Sequence, residues 1–273
     1  MKRRALLLLL GSSACRGREQ PRLPLATSLL ELGSRAGRVA EGTPAEGLAE
    51  LMHLSDLARE RLAAESARPP LAVVTELLFG RLGFVREVND EALDFALLPS
   101  VLRRRRGSCV GLGTLFLALS EALGWSAAGV MMPGHFYVRV SEPGAHRNVE
   151  LLRRGELMPD AWYAARFPIP GGAAAEYARP LSGSEVRGIV EYNVGNDHRR
   201  AQRFGDARAA FSRAVAAFPD FAEAHASLGS VQQLLGQLDE AADSYRAALD
   251  KNPHLPGLDQ NLALLAQERA EPR

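Results

Sequence analysis

From Cys109 to Leu123 the chain offers almost no polar face: Val110, Leu112, Leu115, Phe116, Leu117, Leu119 and Leu123 fall all round a helical wheel. A helix that is apolar all round cannot lie on a surface, so this segment is predicted to be the buried central helix of its domain. Ser108 is placed to cap its start and Gly124 to end it. The rest of that domain has to be arranged around it.

Strands follow the helix. Ala128–Met132 is short and apolar, Pro133-Gly134 punctuates, and His135–Val140 alternates. Phe136, Val138 and Val140 take one face, while His135, Tyr137 and Arg139 take the other, polar one. Glu142-Pro143-Gly144 signals a turn, and Asn148–Leu151 reads as the returning strand. Before the helix, Leu23–Ala67 reads as two helices broken near Gly42-Thr43-Pro44, and a further helix runs from about Leu71 to Leu82. The stretch from Pro159 to Ser184, rich in Pro, Gly and Ala, reads as a linker or long crossover.

Beyond it the sequence repeats with a period of 34, aligned on Pro219 and Pro253. Gly195 pairs with Gly229, Ala207 with Ala241, Phe211 with Tyr245, and Ala214 with Ala248. That period and those positions fit tetratricopeptide repeats, each a pair of antiparallel helices. Glu191 and Gln202 stand in the first copy where an aromatic residue and a glycine are commoner. Leu258, Leu262 and Leu265 mark a final capping helix. Such a short array needs the preceding domain as its other neighbour and can hold a protein partner in its groove.

The N-terminus has the features of an export signal: Met1-Lys2-Arg3-Arg4, an apolar run from Ala5 to Leu10, and small residues up to Cys15. The run is too short to span a membrane, which takes about 20 apolar residues. Small residues before a cysteine are similar to a bacterial lipoprotein signal, which makes Cys15 the lipidated residue of an envelope protein facing the periplasm. Ordinary cleavage after Ala14 is the competing reading. A net charge of +1 with interspersed acids and bases gives no electrostatic case for nucleic acid. Contact with a membrane is expected through the anchor alone.

The chain has two cysteines. With Cys15 lipidated, Cys109 has no partner, and an unpaired thiol in an oxidising compartment is either buried or chemically used. At a helix start, the free N–H groups and the macrodipole favour a negatively charged sulfur. Arg103–Arg106 precede it, although a solvated helix end explains that run as well. A buried core cysteine fits the segment alone equally well. His135 shifts the balance. For Phe136, Val138 and Val140 to share a face with Val149 and Leu151, positions paired across the hairpin must sum to an odd number. That parity puts His135 on the face of both Asn148 and Glu150. Glu150 would fix the tautomer and stabilise the imidazolium, and is the preferred third member; Asn148, the alternative, would only orient it. His53, His146, His198, His225 and His254 show no metal-ligand spacing, so no metal or other cofactor is expected. Trp125 and Trp162 read as packing residues.

Taken together, Arg105-Arg106-Gly107-Ser108-Cys109, Leu123-Gly124-Trp125-Ser126-Ala127-Ala128-Gly129-Val130 and Pro133-Gly134-His135-Phe136-Tyr137-Val138-Arg139 resemble the transglutaminase-like superfamily. More particularly they resemble its SirB-type branch, which joins such a core to C-terminal tetratricopeptide repeats. Glu76–Phe84 and Leu98–Arg103 fit the approach to that core. The resemblance implies a cysteine at Cys109, a histidine at His135 and an acid at Glu150, where Asp is usual.

The expected fold is therefore α+β: a papain-like transglutaminase core, its central helix packed on an antiparallel sheet, with C-terminal repeat helices. The expected division is a signal at 1–15, tether and N-terminal helices at 16–68, core at 69–170, linker at 171–187, and repeats with their cap at 188–270. The implied function is cysteine-dependent acyl transfer or amide hydrolysis on a peptide or protein. The alternative is a catalytically silent core serving as a scaffold, with the repeats binding a partner.

Overall fold

The computed structural model describes residues 22–36, 42–88, 92–171 and 175–270. The signal segment and Cys15 lie outside the described residues. Two helices open the described chain, α1 (Pro24–Ala36) and α2 (Pro44–Ala64). Thr43 caps α2 in a capping box with Glu46. Helix α3 (Pro70–Thr75) continues as a wider π turn over Glu76–Arg81, where the Leu82 N–H reaches back to the Leu77 carbonyl at 2.9 Å. A two-residue strand β1 (Val85–Arg86), helix α4 (Leu98–Arg104) and strand β2 (Arg106–Gly107) lead into α5 (Cys109–Leu123).

Helix α5 is the centre of the core. Ser108 Oγ accepts the Gly111 N–H at 3.2 Å, and Gly124 ends the helix at φ +75°. Leu112, Leu115, Phe116 and Leu119 are each 1% exposed. Helices α1 and α2 pack directly on it, in one core with the sheet, so the N-terminal helices are part of this body. The Glu121 carboxylate of α5 accepts the N–H groups of Leu25 and Ala26, tying down the start of α1.

The sheet that covers α5 is built from β3 (Ala127–Met132), β4 (His135–Glu142), β5 (Ala145–Glu150) and β6 (Glu156–Met158). After helix α6 (Asp160–Arg166), strand β7 (Pro180–Leu181) completes it in the order β6-β5-β4-β3-β7, all neighbours antiparallel. Val138 pairs with Val149, so paired positions sum to an odd number. Phe136, Val138 and Val140 face α5, as the alternation requires. The opposite face is not the polar surface expected from sequence. Helix α6 covers it, and Val130, Met132, Tyr137 and Tyr163 form a second small core there. Residues 171–187, expected to be a linker, carry β7 and two deeply buried anchors. Glu176 accepts hydrogen bonds from the Ala222 N–H (2.5 Å) and Asn252 Nδ2 (3.1 Å), and Tyr177 donates to Glu223 (2.6 Å).

The C-terminal helices are α7 (Gly183–Arg200), α8 (Phe204–Ala217), α9 (Ala222–Leu234), α10 (Leu238–Lys251) and α11 (Leu258–Ala270). Helix pairs α7–α8 and α9–α10 are the two repeats and α11 is the cap. Gly195 lies against the Phe211 ring, and Gly229 against the Tyr245 ring. The two departures in the first copy have different fates. Glu191 is buried and paired with Arg213 at 3.0 Å and Arg35 at 3.6 Å. Gln202 sits at φ +57°, where its counterpart Gly236 sits at φ +74°. Left-handed backbone costs a residue with a Cβ about 1 kcal/mol. Gln202→Gly should therefore stabilise the protein by about 0.5–1 kcal/mol, read as a higher denaturation midpoint; an unchanged or lower midpoint would mean that the Gln202 side chain offsets the strain.

Candidate active site

Each of the three polar groups is placed by a chain feature. Cys109 is the first residue of α5 and is half-buried. His135 opens β4 immediately after the Pro133-Gly134 turn, and Glu150 closes β5 before a 3-10 turn at Leu151–Arg153. The imidazole and the carboxylate meet: His135 Nε2 lies 2.7 Å from Glu150 Oε2, with the two side chains 6% and 1% exposed. The other carboxylate oxygen accepts the Leu152 N–H at 3.0 Å, which fixes the rotamer. With Nε2 committed to Glu150, Nδ1 is the nitrogen left for the Cys109 sulfur. Burial opposes a charged His135, but hydrogen bonds to Cys109 and Glu150, together with their charges, outweigh it and push its pKa up to about 9.

Asn148 is not at this site. It is paired with Arg139 on the neighbouring strand, accepts from Arg139 Nε at 2.8 Å and donates to Asp160 at 2.8 Å. Burial works against the Asp160 charge, yet hydrogen bonds from Asn148 and His146 and the Arg139 charge hold its carboxyl below the usual range. The arginine run is the solvated helix end: Arg104 pairs with Asp94 at 3.2 Å, Arg105 donates to the Leu82 carbonyl, and Arg106 pairs with Glu87 at 2.9 Å.

Two aromatic residues near His135 were not singled out from the sequence. Phe167 lies flat on the imidazole, ring centroids 4.3 Å apart and planes 7° from parallel. Tyr163 stacks on Tyr137 at 3.7 Å and buries its hydroxyl near Glu150 without a hydrogen bond of good geometry. Burial, then the Glu150 charge, pushes that hydroxyl's pKa up. The signal available was the aromatic density of Trp162, Tyr163 and Phe167, in a stretch whose Pro and Gly content reads as loop.

Residues 45–176 match the family model of the transglutaminase-like superfamily, and residues 192–256 match that of the tetratricopeptide repeat. The chain carries a transglutaminase-like core followed by tetratricopeptide repeats. No curated protein matches it. Among solved structures, it is similar to a crystal structure of menin described as revealing the binding site for Mixed Lineage Leukemia (MLL) protein. That match has 14% identity and a TM-score of 0.39, covering 90% of this chain and 70% of the other.

The transglutaminase-like match begins in α2 and ends at Glu176, so it takes in the packing of α2 on α5 and the crossover as far as Glu176, and leaves α1 and β7 outside. It contains Cys109, His135, Glu150 and Phe167 alike. Other histidines have local partners: His146 bonds Asp160, His198 accepts from Arg203, and His225 donates to the Pro219 carbonyl. Among the described residues no group of three or more His, Cys, Asp or Glu could hold a metal ion, and no helix is long and apolar enough to cross a membrane.

Proposed function

We propose that this is a SirB-type transglutaminase-like protein that performs cysteine-dependent acyl transfer or amide hydrolysis on a peptide or protein, with Cys109, His135 and Glu150 as its triad. The observation that carries the reading is the buried 2.7 Å contact from His135 Nε2 to Glu150, which leaves Nδ1 for Cys109. Cys109 gives its thiol proton to His135, the sulfur forms a bond to an amide carbonyl carbon, and the carbonyl π pair moves to the oxygen, which takes the negative charge. The Cys109 N–H, in the first turn where helix N–H groups have no intrahelical acceptor, receives that oxygen. His135 returns its proton to the amine as the C–N bond breaks. Water or a second amine then attacks the thioester, His135 takes its proton, and the thiolate leaves. The repeats offer a groove for a protein partner.

Export and a lipid anchor at Cys15 belong to the same proposal, supported by the basic flank, the apolar run and the small residues before Cys15. Labelled fatty acid should enter the wild type but not Cys15→Ala; label in neither would leave ordinary cleavage.

The test of the triad is alkylation of Cys109 across pH, in a Cys15→Ala background, with and without His135→Ala. At pH 7 the protein with His135 should react at least about tenfold faster. The difference should shrink above the range where an isolated thiol ionises, about 8.5. Equal rates at pH 7 would overturn the enzyme reading in favour of a silent scaffold. Slow reaction of both at every pH would make the sulfur a core group.

A further inference from the structure

Phe167 occupies a position that packing alone does not demand. It is the residue that ends α6: its N–H bonds the Tyr163 carbonyl at 2.8 Å, and at φ −129° the chain leaves the helix just before Pro168. A proline disfavours helical backbone at the residue before it, so the exit is written into the sequence. The edge of Trp162, 6.1 Å away, holds the ring from the side. One face of Phe167 lies on His135. The residue also lines a cavity of about 480 Å³ with Met132, Tyr137, Tyr163 and Ile169, so it separates the imidazole from a space of ligand size.

We infer that Phe167 is a positioning residue for His135: its π face holds the imidazole flat between Cys109 and Glu150 and favours the protonated ring. An aromatic face carries the negative part of the ring quadrupole and attracts a cation stacked within about 6 Å of its centroid. The ionisable groups that face His135 are Cys109 from α5, Glu150 from β5 and Tyr163 from α6. Cys109 and Glu150 favour the charged imidazole, and Phe167 adds to them from the direction that neither covers. It also keeps water from the open face, which preserves the His135–Glu150 hydrogen bond in a low-dielectric setting.

The inference deepens the triad reading and rests on it for its consequence at Cys109, although its effect on His135 is separable. Phe167→Leu keeps an apolar cover and removes the π face. Titration of the His135 ring by NMR, with His135→Gln to assign the signal, should show its midpoint falling by about half to one pH unit in Phe167→Leu. Phe167→Tyr should keep the wild-type midpoint, and the pH at which Cys109 alkylation loses its dependence on His135 should fall by the same half to one unit in the leucine variant alone. Should the leucine variant fail to fold, Phe167→Met removes the same π face with a more adaptable side chain. An unchanged His135 midpoint in a folded leucine or methionine variant would overturn the inference and make Phe167 a packing residue. A lowered midpoint in a protein whose alkylation ignores His135→Ala would uphold the Phe167 assignment while the nucleophile reading falls.

Discussion

Glu150→Ala should cost about 3–5 kcal/mol of folding free energy at pH 7, because it removes the counter-ion of a buried imidazolium. Glu150 is 1% exposed and makes two contacts, one to His135 Nε2 and one to the Leu152 N–H. Without the carboxylate, burial, which favours the neutral ring, is opposed by Cys109 alone. The pH dependence follows from the sign of the shift. His135 is raised from 6.5 to about 9, so the stability gained by its protonation is fully present below about 6.5 and is lost as the pH rises through about 9. In Glu150→Ala that loss should shrink and move to lower pH, because only Cys109 still raises the ring. Glu150→Gln, which keeps an acceptor for the backbone N–H, should cost about half as much or less. Denaturant titrations at several pH values measure both effects. A wild-type midpoint for Glu150→Ala, with His135 still titrating near 9, would show that the carboxylate is not what charges the ring.

The pairing of His135 with Glu150 was legible in part. Hairpin parity put Glu150 and Asn148 on one face with His135 and left the choice between them to chemistry. The turn would have decided it. Glu142 pairs with Ala145 around Pro143-Gly144, a two-residue loop with Gly144 at φ +73°. That loop sets the register, and continuing it places residue 152 opposite His135. Glu150 is then the diagonal neighbour, within reach of a long side chain, whereas Asn148 is four positions away, about 13 Å along the strand. The central helix and the repeats were legible for the same reason, since both rest on periodicity and on cap residues that act locally. What was not legible lies in the stretch from α6 to β7. Tyr163 and Phe167 are brought over the sheet by a seven-residue helix, and β7 pairs through two residues. Elements so short have no periodicity to read, and tertiary contacts alone define them.

The largest packing effect should come from the ring that sets the distance between α5 and the sheet. Phe136 is 1% exposed and lies between two glycines. A Cβ on Gly113 of α5 would sit 2.5 Å from its Cε1, and one on Gly129 of β3 would sit 2.4 Å from its Cζ. Phe136→Ala should therefore cost about 3–5 kcal/mol, through lost burial and the cavity left behind. Gly113→Ala should cost about 1–3 kcal/mol by the opposite route, forcing helix and strand apart. The smaller Phe136→Leu makes room for the added methyl, so the double variant Gly113→Ala/Phe136→Leu should be more stable than the sum of the singles by about 1 kcal/mol or more. The chemistry should follow the packing. His135 is the residue before Phe136, and Cys109 is one helical turn before Gly113, so a shift at this contact is transmitted to the approach of sulfur to imidazole. Gly113→Ala should thus weaken the dependence of Cys109 alkylation on His135 at pH 7, and the double variant should recover part of it. Strictly additive stabilities would mean that the ring and Gly113 do not share the space the structure gives them.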